Sequence, residues 1–229
     1  MIEAFRLGVF SRGKILWDGL DFAFGDGAVW VIVGPASSGK TLLMSILRGE
    51  RQPDAGDVLI AGESLYRGSV AAARAFRAAC GSIPERVDGD TSLDVEMLFR
   101  RSALACGGIP RAERKERRDR LLAMVGLDGS GDLPLASLSA SERARARLAA
   151  ELVRNPKFLF ADGVVSAAGM PFQETLGGLF RALAGEGNTI LLAERLLPAR
   201  WAGPAGDGKP VGPFRVFRLP QPAGKEGVP

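Results

Sequence analysis

Eight consecutive residues concentrate the chemistry of this chain: Gly34, Pro35, Ala36, Ser37, Ser38, Gly39, Lys40 and Thr41. Their spacing is G-x-x-x-x-G-K-[ST], and a loop of that composition can turn successive backbone N–H groups into one concavity. Such a concavity holds a polyphosphate without needing side-chain charge, helped by the positive end of the helix that follows. Lys40 would reach the terminal phosphates, and the Thr41 hydroxyl would face Mg²⁺. A glycine turn that merely joins a strand to a helix would explain Gly34 and Gly39 but not the Lys-Thr pair. Asp162 directly follows the apolar run FLFA, Phe158 to Ala161. A carboxylate at the carboxyl end of a neighbouring parallel strand lies beside such a loop and would serve as its second metal-side group. The alternative is an N-cap for the residues after it.

The elements that must position these groups are legible in outline. AVWVIV, Ala28 to Val33, reads as a buried strand ended by Gly34 and Pro35. From Gly39 onward the spacing is helical and stops at Gly49, a residue suited to a left-handed C-cap. FLFA follows the helical stretch Ser141 to Arg154 across Asn155-Pro156, and TILLA, Thr189 to Ala193, follows a helical stretch from Pro171 to Ala184. Strands alternating with helices of this length predict an α/β fold with a mostly parallel, doubly wound sheet. Phe5 to Phe10 and Ile15 to Phe24 alternate like antiparallel strands, and about 87–134 reads as an inserted helical subdomain. The Pro- and Gly-rich stretch 198–213 is expected to be a long loop, Phe214 to Leu219 a last strand, and 220–229 a disordered tail.

Composition excludes other chemistries. Among the 229 residues there is no histidine, which rules out Ser-His-Asp and Cys-His couples and imidazole metal ligands. Two cysteines, Cys80 and Cys106, are too few for a disulfide framework and are expected to be buried filler. The start of the chain has no secretory pattern and no apolar run approaches the length of a bilayer span, so a cytoplasmic location is expected. The net charge of +4 is modest. Its most basic stretch, Arg111 to Arg120, is interleaved with Glu113, Glu116 and Asp119, which favours a solvated helix face over nucleic-acid binding.

With the loop, the strand-end aspartate and the segment between them, the chain resembles the nucleotide-binding subunit of ABC-type ATPases over nearly its whole length. LSASE, Leu138 to Glu142, stands where that family carries its signature LSGGQ, and Ser139 is the matching serine. The resemblance implies one nucleotide-binding domain over 1–229, a P-loop NTPase core, and Mg-ATP as ligand. It further implies a signature that closes over the γ-phosphate bound by the opposite subunit. A homodimer, or a heterodimer with another ABC subunit, is therefore expected, with an integral-membrane partner on the helical subdomain. Phe10 falls near the family's adenine-stacking aromatic, with Trp17 as the second choice. Glu85, in Ile83-Pro84-Glu85, stands for a glutamine near the metal.

The chain departs from the resemblance at the catalytic positions. Gly163 and Gly169 stand for the family's glutamate and a loop-closing aspartate, Arg195 for its switch histidine, and Ala140 and Ser141 for the two signature glycines. Losing a general base or water-positioning group is worth about 10² to 10⁴ in rate. The expectation is a subunit that binds Mg-ATP and acts as a dimerising or coupling module with weak hydrolysis or none. The rival readings are a working ATPase in which Glu85, Glu194 or a partner residue replaces the base, with Glu194 the foremost of these, and a structural protein in which nucleotide binding is vestigial.

Overall fold

A computed structural model describes residues 1–11, 14–85, 92–104, 109–198, 201 and 213–220, and these described residues form two sheets and seven α-helices. The N-terminal residues form β1 (Ile2–Ser11) and β2 (Lys14–Phe24), which pair antiparallel. With β4 (Ala55–Ile60) and the short β5 (Glu63–Ser64) they build a four-stranded sheet in the order β2-β1-β4-β5. The second sheet is parallel. It consists of β3 (Val29–Val33), β6 (Cys80–Ile83), β7 (Phe158–Asp162), β8 (Thr189–Glu194) and β9 (Phe214–Arg218), ordered β6-β7-β8-β3-β9.

The helices are α1 (Lys40–Leu47), α2 (Val70–Ala79), α3 (Val95–Leu104), α4 (Arg111–Met124), α5 (Ala140–Leu152), the short α6 (Val164–Ala168) and α7 (Gln173–Gly185). They cover both faces of the parallel sheet, whose residues alternate between two cores, as the period of two in a strand requires. Ile32, Phe160 and Leu191 face α1 and the antiparallel sheet. Val31, Leu159 and Leu192 face a core shared with α5, α7 and the helical subdomain.

That subdomain holds α3 and α4, within the span read from the sequence. It is tied together by Arg118 of α4, whose buried guanidinium bonds Glu96 at 2.6 Å, Asp119 at 2.8 Å and Asp132 at 3.0 Å. Most of the other described side chains of the basic run are exposed, in keeping with a solvated face.

Several features were not read from the sequence. The antiparallel sheet takes in β4 and β5, and α2 is capped by Ser69, whose side chain accepts from the Ala72 N–H. Trp201, placed in the long loop by its Pro- and Gly-rich surroundings, is buried. Its ring stacks on Phe214 at 4.7 Å and meets Phe180 edge-on at 6.1 Å. Cys80 is buried, its thiol pushed up to about 12 by desolvation, which leaves it inert. Cys106, residues 86–91 and 105–108, the rest of the 198–213 loop apart from Pro198 and Pro213, and 221–229 lie outside the described residues. Among the described residues, no helix is long and apolar enough to cross a membrane.

Candidate functional site

Parallel pairing fixes where the chemistry collects. Val33 registers with Glu194, Asp162 with Ala193, and Ile83 with Ala161. The segments that leave β3, β6, β7 and β8 therefore begin at one edge of the sheet, and Gly34, Glu85, Gly163 and Arg195 all lie there. Crevices at the carboxyl ends of such strands are where open α/β folds bind ligands.

The loop from Gly34 to Gly39 joins β3 to α1. Ser37 and Gly39 both take left-handed backbone conformations, at φ 63° and 90°. For Ser37 this is an uncommon state, the kind of local strain that surrounding structure must hold in place. A Cβ at Gly34 would sit 2.7 Å from the Ser38 Oγ, so a larger residue there would force the buried Ser38 side chain to shift. Pro35, Ala36 and Ser37 are exposed, while Ser38 is fully buried. Lys40 folds over the loop, its Nζ donating to the carbonyls of Gly34 at 2.7 Å and Pro35 at 2.8 Å. Partial burial lowers the Lys40 pKa, and the Asp162 and Glu85 carboxylates oppose that shift.

The Thr41 Oγ1 donates to the Asp162 Oδ2 at 2.5 Å, joining the first turn of α1 to the end of β7. Asp162 is buried, which raises its pKa; the Thr41 bond acts the other way, and Glu85 adds to the rise. These are hard oxygen donors beside a phosphate-shaped loop, and Mg²⁺ characteristically takes one or two such protein oxygens with phosphates and water supplying the rest. Thr41 and Asp162 fit that ion. Asp162 is not the N-cap of the segment after β7; that position belongs to Gly163.

A family model described as "ABC transporter" matches residues 17–166, well over half of the chain and including the loop, LSASE and Asp162. This chain belongs to the ABC transporter family. It is 31% identical over 187 residues to the arabinose import ATP-binding protein AraG 1 of Burkholderia ambifaria, which covers 81% of this chain and 37% of that protein. It is 29% identical over 187 residues to the Nod factor export ATP-binding protein I of Paraburkholderia xenovorans, covering 80% and 59%. The chain thus spans about a third to three-fifths of these curated relatives. Among solved structures, the dimeric structure of the bacterial ABC transporter cassette MJ0796 superposes with a TM-score of 0.76 at 20% identity, over 86% of this chain and 88% of that one. A putative ABC transporter ATP-binding protein from Pyrococcus furiosus gives 0.75 at 17% identity, over 95% and 96%. The fold expected from the resemblance is the one found.

The positions read from the sequence as departures from the resemblance, Gly163, Gly169 and Arg195, have a clear geometry. Gly163 is left-handed, at φ 67°, and its N–H donates to the Ala193 carbonyl at 2.8 Å. A Cβ there would stand 3.3 Å from the Glu85 Cγ, so the Glu85 side chain already covers the space a residue at 163 would enter. Gly169, the C-cap of α6, is also outside the range favoured by other residues, at φ 85°. Arg195 is exposed, and its charge is felt at Lys40.

Glu194 does not play the part foreseen for it. Its side chain is buried, and its carboxylate accepts from the Val165 N–H at 2.8 Å and the Ser166 Oγ at 2.5 Å, capping α6. Both oxygens are committed to holding the segment after Gly163, so Glu194 is not a free base. Burial raises its pKa, and those hydrogen bonds offset part of the rise.

Trp17 is likewise corrected: at 3% exposure it offers no face to a base. Phe10 is 46% exposed on β1, and its N–H donates to the Asp54 carboxylate at 2.8 Å. Ser139 is exposed at the N-cap of α5 and forms a capping box with Glu142; its own N–H meets the Glu142 carboxylate at 2.7 Å. Among the described residues, no side-chain bond joins Ser139 to the phosphate loop of its own chain. Ser141 donates to the Ala168 carbonyl at 2.6 Å, so the start of α5 is fastened to the end of α6.

Proposed function

We propose that this chain is the nucleotide-binding subunit of an ABC-type transport system, holding Mg-ATP at Gly34–Thr41 and coupling nucleotide occupancy to dimerisation, with weak intrinsic hydrolysis. One observation carries the reading. The phosphate-holding half of the site is assembled through the Thr41–Asp162 bond, whereas the position of the family's glutamate is a left-handed glycine covered by Glu85. Backbone N–H groups of the loop and the Lys40 ammonium bind the phosphates, and Thr41 and Asp162 would hold Mg²⁺, which supplies neutralising charge. Phe10 stacks on the base. Arg195 supplies a second positive charge at the phosphate side but cannot take a proton.

The resemblance adds the setting. Ser139 of one subunit faces the nucleotide of the other, in a homodimer or a heterodimer with a complete relative, and the helical subdomain docks on a membrane partner at the cytoplasmic face. Relatives described as import and as export ATP-binding proteins support a transport role without naming a cargo.

The test is ATP binding by calorimetry alongside phosphate release. Lys40→Ala is expected to abolish binding with the circular dichroism unchanged, because Lys40 contributes charge rather than core. Unchanged affinity in that variant would remove the reading. A second reading, an active ATPase, is favoured by the Glu85 side chain lying over Gly163, where a carboxylate could meet the attacking water. Turnover near 1 s⁻¹, within the typical enzyme range, that vanishes in Lys40→Ala would establish it.

A further inference from the structure

Trp17 reaches from β2 to the phosphate loop, and its contacts there are specific. The indole Nε1 donates to the Ser38 carbonyl at 2.9 Å. The ring edge lies so close to Gly39 that a Cβ there would be 2.4 Å from the Trp17 Cζ2. Ser38 is otherwise enclosed: its N–H donates to the Pro35 carbonyl at 3.3 Å, and its Oγ lies 3.5 Å from the Lys40 Nζ. The Ser38–Gly39 peptide is planar and trans, so its C=O and N–H point in opposite directions. Holding the carbonyl inward, on Trp17, turns the Gly39 N–H outward, to the side where the exposed part of the loop receives phosphate.

We infer that Trp17 is a positioning residue for the phosphate loop: it fixes the Ser38–Gly39 peptide and so sets affinity for the polyphosphate, not for the base. The inference rests on the ATP-binding reading. Trp17 pairs with Val9 across the antiparallel sheet, one residue before Phe10, so the same sheet carries the base-side aromatic and the prop beneath the loop.

Removing the indole N–H leaves the buried Ser38 carbonyl without its partner, a loss on the scale of one hydrogen bond that reads as roughly a tenfold change in affinity. The experiment titrates Mg-ATP and inorganic triphosphate against the full chain, its Trp17→Phe variant, and a chain with benzothienylalanine at position 17, which keeps the ring shape and lacks only the donor. The expected result is a roughly tenfold rise in Kd for both ligands alike, with the unfolding midpoint of the benzothienylalanine chain within a few degrees of the unaltered one. The ATP-induced change in tryptophan emission should persist in Trp30→Phe and Trp201→Phe and disappear in Trp17→Phe. If Trp17→Phe does not fold, the benzothienylalanine chain decides. Unchanged triphosphate affinity there overturns the inference, as does a loss confined to ATP, which would make Trp17 a base contact. An unaltered chain that binds neither ligand overturns the ATP-binding reading as well, so the two failures are distinct.

Discussion

On the proposed reading Gly163 stands where the family has its glutamate, and Gly163→Glu tests whether this site lacks one side chain or is built around glycine. Gly163 sits at φ 67°, where a residue with a Cβ costs about 1–2 kcal/mol. The Cβ itself, 3.3 Å from the flexible Glu85 Cγ, displaces that side chain cheaply. The introduced carboxylate then faces Glu85, and two like charges about 5 Å apart repel by roughly 0.8 kcal/mol at water-like screening. Together these give about 2–3 kcal/mol of destabilisation. For a chain of this size that lowers the melting temperature by roughly 4–12 °C. Activity should rise by less than about tenfold, far short of the 10² to 10⁴ expected of a positioned base. Thermal unfolding followed by circular dichroism and steady-state phosphate release read the two effects. Gly163→Glu combined with Glu85→Gln should recover about a third of the lost stability, because only the repulsion is relieved and the backbone strain stays. A hundredfold gain in turnover with an unchanged melting temperature would refute this reasoning and show a site that lacks nothing but the glutamate.

Phe10→Ala should weaken ATP by the stacking of one base, about 1–3 kcal/mol, and leave inorganic triphosphate unchanged. Equal losses for the two ligands, measured by competition, would reassign Phe10 to packing. Glu194→Gln should change how stability depends on pH. Burial raises the Glu194 pKa above its ordinary 4.5, so the folded chain binds more protons than the unfolded one between 4.5 and the raised value. Stability conferred by the protonated form is present below 4.5 and is lost as pH rises through the folded pKa. Urea midpoints at pH 5 and pH 8 should therefore fall less in Glu194→Gln than in the unaltered chain, and parallel profiles would contradict the assignment.

Residues whose conformation and place are fixed by local backbone geometry were legible in the sequence. GPASSGKT specifies its own conformation through glycine positions and the flanking strand and helix, and Asp162 follows from the end of an unambiguous buried strand. Glu194 was not legible for a physical reason. β8 is buried along its whole length, so alternation carries no information about which way a side chain points. Phe10 was the first choice and Trp17 the second, and the burial of Trp17 was not legible because β1 and β2 pair with register shifts around Val9, each of which changes which residues face inward. In α2 only Phe76 is buried, so its amphipathic stripe is too narrow to announce a helix. Trp201 lies in a stretch whose glycines and prolines speak for a loop, and nothing local says that its ring stacks on a strand thirteen residues further on.

The order of the parallel sheet bears on how this protein is made. β3, which carries the phosphate loop, has β8 and β9 as its two neighbours, and both come from the far end of the chain. After Val33 leaves the ribosome, the 155 residues from 34 to 188 must follow before β8 even begins. At about 5–20 residues per second, that is roughly 8 to 31 s during which the strand has no partner in its own sheet. Nascent chains halted before residue 189 contain the complete GPASSGKT but none of the pairing that gives it shape. The nucleotide site is therefore a late product of synthesis, and contacts this distant in sequence fold slowly. ATP capture by ribosome-bound chains of increasing length should switch on only once β9 has emerged.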